Sequence, residues 1–206
     1  MKLKHVFKRA VRITFVPSLE WKTIESESLT VKQLLINYAF PVILFSAIGR
    51  NIGAFFAAQQ VIGFGYKLAM VIFTNMLVWI ALPYIVIVAS TFLLNHLLPT
   101  MHIETQYLKA LQIVVYTITP LLLITFFVYL HPVLRVLIPI GIFIFAIYMA
   151  RVFLLGVKTL YKITQKKKIE FAVTYMLVFI LLILLLQHVY TTFWDFVFPN
   201  IQAYLQ

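Results

Sequence analysis

The stretch Ala110–Lys168, ALQIVVYTITPLLLITFFVYLHPVLRVLIPIGIFIFAIYMARVFLLGVKTLYKITQKKK, decides the fold. It is an apolar run to Leu130, a break at His131-Pro132, a second apolar run to Val157, and a basic cluster of Lys158, Lys162, Lys166, Lys167 and Lys168. Each run has the length of a helix that crosses a bilayer, because about 20 residues at 1.5 Å rise cover the hydrocarbon core. A break this short predicts a helical hairpin. Short loops rich in Lys and Arg stay on the cytoplasmic side, so the lysines place their loop inside.

Composition agrees. A chain of 206 residues that is 63% hydrophobic and 11% charged has too little polar surface to coat a soluble globule, which predicts an integral membrane protein. Cysteine is absent, so disulfides, thiolate metal sites and cysteine nucleophiles are excluded. All but three of the 17 Lys and Arg (Arg50, Lys67 and Arg135) fall at or near segments placed inside. Orientation and contact with anionic headgroups therefore account for the formal charge of +11, and nucleic acid is not an expected partner.

Outward from the organising stretch, the fold class reads as an all-α integral membrane protein with five transmembrane helices and a cytoplasmic amino terminus. The spans are expected at about 31–49, 68–94, 110–130, 133–157 and 170–190. They form a domain over 31–206, and residues 1–30 form a cytoplasmic or interfacial segment. Within that segment Leu3, Val6, Phe7, Ala10, Val11 and Phe15 make one apolar stripe among Lys2, Lys4, Lys8, Arg9 and Arg12. This pattern predicts a basic amphipathic helix lying in the membrane surface. Pro17 stops it, Ser18 caps a short second helix, and that helix carries Glu20, Trp21, Ile24, Glu25 and Glu27. The carboxylates are expected to pair with the arm or the lysine loop, with Trp21 at headgroup level.

Thr30 with Gln33 forms a capping box that opens the first span. Arg50 and Asn51 are read as its far end. The glycine-rich, still apolar stretch from Gly49 to Gly65 is read as a helix extension followed by a broken or re-entrant segment. Pro83 is expected to tilt or kink the second span, and Asn75 to make an interhelical hydrogen bond. His96, Pro99, His102 and Glu104 are assigned to the inner loop after it, at a spacing that fits no closed zinc motif. The aromatic tail from Tyr190 to Tyr204 is read as interfacial anchors.

The chemistry expected of an enzyme is missing. Asp195 is the sole aspartate, and there is no H-E-x-x-H, G-x-S-x-G, P-loop or dinucleotide fingerprint. The expectation is a protein that is not an enzyme and takes no cofactor and no metal. A transporter, channel or lipid-moving protein is the alternative, with a path near Pro83, Pro120 and Pro139 lined by Asn75 and Gln112.

Pro17, Trp21, Ile24 and Glu27 before the first span, and Tyr38 and Pro41 within it, resemble the Yip1-domain family of multi-pass membrane proteins. The organising stretch resembles it further: Ala110-Leu111, Tyr116, Thr119-Pro120, Pro132, Tyr148 and Gly156, closing on the lysines at Lys168, follow the bacterial pattern of the family. The resemblance covers most of the chain. Lys168-Ile169 stands where the family often has Lys-Ala, so no role is carried to that dipeptide. Eukaryotic members bind Rab-type GTPases in vesicle traffic and have a long cytoplasmic amino-terminal region that has no counterpart in this sequence. The resemblance therefore implies a bacterial inner-membrane protein. It is expected to act as a scaffold or adaptor that binds anionic lipid headgroups, copies of itself or another protein. Glu20, Trp21, Glu27, Lys158, Lys162, Lys166, Lys167 and Lys168 are the candidate contacts.

Overall fold

The computed structural model describes residues 3–100, 103–130, 138–162, 173–177, 179–182, 184–185 and 188–192. Among them there is no strand. The helices are α1 (Leu3–Phe15), α2 (Pro17–Glu25), a π-helical segment (Gln33–Ala39) running into α3 (Phe40–Ile62), α4 (Tyr66–Thr100), α5 (Tyr107–Leu130), α6 (Ile138–Tyr161) and α7 (Val173–Leu182). Pro132, Arg135, Lys166, Lys167, Lys168 and the aromatic tail beyond Thr192 lie outside the described residues.

α5 is the central helix. Ala110, Leu111, Ile113, Val114, Val115 and Tyr116 are all buried, and Gln112, Thr117 and Thr119 are buried beside them. A helix covered all round needs neighbours on every side. α3 runs parallel to it, as successive contacts show: the Tyr38 and Tyr116 rings lie 4.7 Å apart, Phe45 stacks on Phe126 at 3.9 Å, and Arg50 lies against Tyr129. α4 runs the other way, with the Tyr84 hydroxyl donating to the Leu35 carbonyl at 3.0 Å near one end and Asn75 bonded to Asn51 near the other. Its outer face presents Phe73, Leu77, Ile85, Val88 and Phe92, the face expected to meet lipid.

The entry to α3 follows its sequence closely. Thr30 N–H donates to Gln33 Oε1 at 2.9 Å and Gln33 N–H to Thr30 Oγ1 at 3.2 Å, so the capping box is made. The π-helical turn lies directly before Pro41, whose ring crowds the carbonyl four residues back and whose nitrogen has no proton to give it. The widened turn aims Leu34 and Tyr38 into the core.

Three expectations about the helices change. The helix does not end near Gly49 but continues twelve residues, about 18 Å, past Arg50 to Ile62. It can do so because the polar side chains at 50 and 51 are satisfied inside the bundle by rings and amides. No re-entrant segment follows, since Gly63 at φ +66° and Gly65 at φ +151° turn the chain straight into α4. α4 is also longer than the 68–94 span. It passes through Pro83 and Pro99 for 35 residues, about 52 Å, so His96 and Pro99 belong to the helix and not to a loop. At the start of α2, Val16 and not Ser18 holds the cap position, and Pro17 occupies the first turn, where a missing N–H costs nothing.

Gly49 sets the distance between α3 and α5. A Cβ there would lie 2.6 Å from both Cα and the carbonyl oxygen of Phe126, and backbone cannot step aside as a side chain can. Gly49→Ala is expected to destabilise the fold by ~1–3 kcal/mol, the usual range for overpacking, read as an earlier unfolding midpoint in mixed detergent micelles.

Candidate functional site

α1 and α2 form a collar packed on α5 and α6, and the collar is locked by one arginine. Val6, Ala10 and Ile13 are the buried stripe of α1. Leu3, Val11 and Phe15 of the expected stripe are exposed instead. Arg9 lies on the buried side, three residues after Val6 and four before Ile13, and so it points into the protein.

Its guanidinium uses the whole fork. Nε donates to Glu20 Oε1 at 3.1 Å, Nη1 to Glu27 Oε2 at 2.7 Å and to the Tyr116 hydroxyl at 3.3 Å, and Nη2 to Glu27 Oε1. The bidentate grip on Glu27 is the strong form of arginine–carboxylate pairing. Arg12 forms a further ion pair with Glu20 at 2.8 Å. Burial by itself would lower the Arg9 pKa and is the largest single influence. The hydrogen bond to Glu27, the Tyr116 contacts and the Glu27 charge outweigh it, so the group stays above its ordinary range and remains charged.

Trp21 is the apolar half of the lock. It is fully buried, its indole N–H donates to the Val152 carbonyl at 3.0 Å, and its ring meets Tyr116 edge-on at 5.7 Å. Gly156 makes room for it, since a Cβ at 156 would lie 2.5 Å from Trp21 Cζ2. Tyr148 of α6 donates to the Thr14 carbonyl and ties α1 to the same helix. Beneath them, Thr119 gives its proton to the Val115 carbonyl, so Tyr38 is the donor in its 3.1 Å contact with Thr119.

These contacts rearrange the expected binding face. Glu20 and Trp21 are buried inside the protein and offer nothing to a partner, which corrects both the docking role and the headgroup position of Trp21. The carboxylates are taken by intramolecular pairing, as the alternative reading of the acidic cluster expected, and Glu25 lies 3.8 Å from Lys162. Exposed are Lys4, Lys8, Arg12, Lys22, Lys32, Lys158 and Lys162, with apolar Leu3, Val11, Phe15 and Leu19 beside them. Of the family-pattern residues, Pro17 starts α2, Pro41 follows the π-helical turn, Pro120 lies within α5, and Tyr116, Tyr148 and Gly156 all meet the collar.

A second polar cluster joins α3, α4 and the helical residues 188–192. Tyr190 donates to Asn75 Oδ1 at 3.3 Å, Asn75 to Asn51 Oδ1 at 3.1 Å, and Asn51 to the Ala47 carbonyl at 2.8 Å. Beside this relay the Arg50 Cζ lies 3.6 Å from the Trp79 ring centroid, 4.0 Å from Tyr129 and 5.7 Å from Tyr190. Asn75 therefore makes the interhelical bond expected of it. Gln112 is buried far from it: Asn51 lies thirteen residues beyond Tyr38, Gln112 seven before the Thr119 that Tyr38 touches, and the helices are parallel, a separation of about 30 Å. The two path candidates do not meet. Among the described residues no group of three or more His, Asp or Glu comes together.

Two features escaped the sequence reading, the inward Arg9 and the ring-clamped Arg50. Reading Ile13 in place of Val11 as the stripe residue would have put Arg9 on the inner face. Nothing in the order of residues links Arg50 to Trp79 or Tyr129, which are 29 and 79 positions away.

Helices throughout, three of them long and apolar enough to cross a bilayer (Gln33–Gln60, Tyr66–Thr100 and Tyr107–Tyr129), define a polytopic integral membrane protein. The Yip1 domain matches residues 11–186, and the chain belongs to the Yip1-domain family. It has no match among curated proteins and none among solved structures.

Proposed function

We propose that this protein is a non-enzymatic, five-span scaffold or adaptor of a bacterial inner membrane. Its amino terminus lies inside, and it binds anionic headgroups and partner proteins through a basic cytoplasmic face. The observation that supports this reading is the division of charge at the collar. The acidic residues of α2 are consumed by Arg9, Arg12 and Lys162, while Lys4, Lys8, Lys22, Lys32 and Lys158 are exposed and have no carboxylate within reach among the described residues. Basic residues flanked by exposed Leu3, Val11, Phe15 and Leu19 suit a headgroup layer, which takes apolar side chains and cations together. The distance between Asn75 and Gln112 gives the path-forming alternative no support.

Reversing charge at Lys166, Lys167 and Lys168 tests the reading. Each lysine near an anionic surface contributes about 1 kcal/mol, so the triple glutamate variant is expected to retain phosphatidylglycerol over phosphatidylcholine about a hundredfold less selectively in neutral detergent. Insertion should be unchanged. Equal selectivity in the variant and the parent would remove the basis for the proposal.

A further inference from the structure

The Arg50 guanidinium is nine-tenths buried, and its two faces are taken by aromatic rings, Trp79 at 3.6 Å and Tyr129 at 4.0 Å. Stacking satisfies the faces but not the edge, where five N–H donors lie in the plane of the fork. Among the described residues none of those donors has an acceptor, and no carboxylate is within ion-pairing distance. The amide oxygens nearby are already spent, Asn51 Oδ1 on Asn75 and Asn75 Oδ1 on Tyr190. The enclosed Trp79 Nε1–H also has no acceptor among the described residues. A buried cation with unmet donors is costly, and the cost is removed by an anion that can accept from the fork. The surface around it is apolar, with Ile48, Ile52, Phe56, Phe73 and Leu77 exposed on α3 and α4.

We infer that Arg50, held edge-free between Trp79 and Tyr129, is the anchor of an oxyanion-binding site that takes the phosphate or carboxylate of an amphiphile. The rings fix the plane of the guanidinium, so the edge is pre-organised for a bidentate grip, and the apolar flanks receive acyl chains. This site is separate from the basic collar, and its test does not depend on the lysines.

Trp79 lies directly on the guanidinium and reports occupancy. Protein in neutral detergent is titrated with dioleoylphosphatidylglycerol in mixed micelles, with inorganic phosphate, and with dioleoylphosphatidylcholine for comparison, following tryptophan emission; Trp79→Phe identifies the responding ring. A saturable change with phosphatidylglycerol that weakens at least tenfold in Arg50→Gln supports the site with a lipid source. The same Arg50-dependent change with inorganic phosphate alone supports it with a soluble source. Arg50→Lys keeps the charge and loses the planar fork, so it carries the test if the glutamine variant does not fold, with the same tenfold loss expected. No change that depends on Arg50 with either anion overturns the inference. So does binding that appears only in Asp195→Asn, because the chain's own carboxylate would then be the occupant.

Discussion

Trp21→Ala is expected to lower the stability of the folded protein by about 3–5 kcal/mol, the range for deleting a large buried aromatic. The ring is fully enclosed between α2, α5 and α6, so little can collapse into the space it leaves. The lost hydrogen bond to the Val152 carbonyl adds less, because that carbonyl belongs to a helix. The effect has a partner that separates packing from general damage. Gly156→Ala drives a Cβ into the indole, yet with alanine at 21 the obstacle is gone. The double variant should therefore be more stable than the sum of the two single effects by at least ~1 kcal/mol, a coupling within the range for residues in contact. Unfolding midpoints of the four proteins in mixed detergent micelles give the cycle. Strict additivity would mean that Gly156 has some role other than accommodating Trp21.

The second large effect is at Arg9. Arg9→Ala leaves Glu27 with no cation and Glu20 with Arg12 alone, and removing one member of a buried ionic group costs about 3–5 kcal/mol because the remaining charge is uncompensated. Glu27 is partly exposed and water screens it, so the lower end applies. Arg9→Lys should recover only part of the loss, since an ammonium cannot grip Glu27 with two bonds while reaching Glu20 and Tyr116. The collar rather than the bundle should fail first. Limited trypsin digestion is expected to cleave the Arg9→Ala protein within residues 8–32 at concentrations that leave the parent intact and α3–α5 uncut in both.

How much of this was legible in the sequence depended on the period of each signal. Long apolar runs broken by His131-Pro132 and closed by lysines carry their meaning in one dimension, so the class of protein and the hairpin could be read directly. Thr30 and Gln33 are three residues apart, and their capping box depends on nothing distant. The end of the first span was missed because Gly49, Arg50 and Asn51 look like an interface when their partners are unseen. Phe126, Trp79 and Asn75 make them interior residues, and only the fold brings those together. Glu20 and Trp21 were placed on a binding face for a similar reason. A carboxylate and an indole beside a basic arm look exposed until the arm's arginine turns inward.

The most direct test of the account is whether the amino-terminal arm is built into the bundle with its basic side outward. The chain has no cysteine, so single cysteines can be read without background. Lys8 is exposed and Ala10, two residues on, is fully buried. In membrane vesicles open on the cytoplasmic side, Lys8→Cys should react with a membrane-impermeant maleimide while Ala10→Cys stays unlabelled until Arg9→Ala is added. Equal labelling at 8 and 10 with Arg9 intact would contradict the account, because the arm would then lie free on the membrane and the lock around Arg9 would not exist.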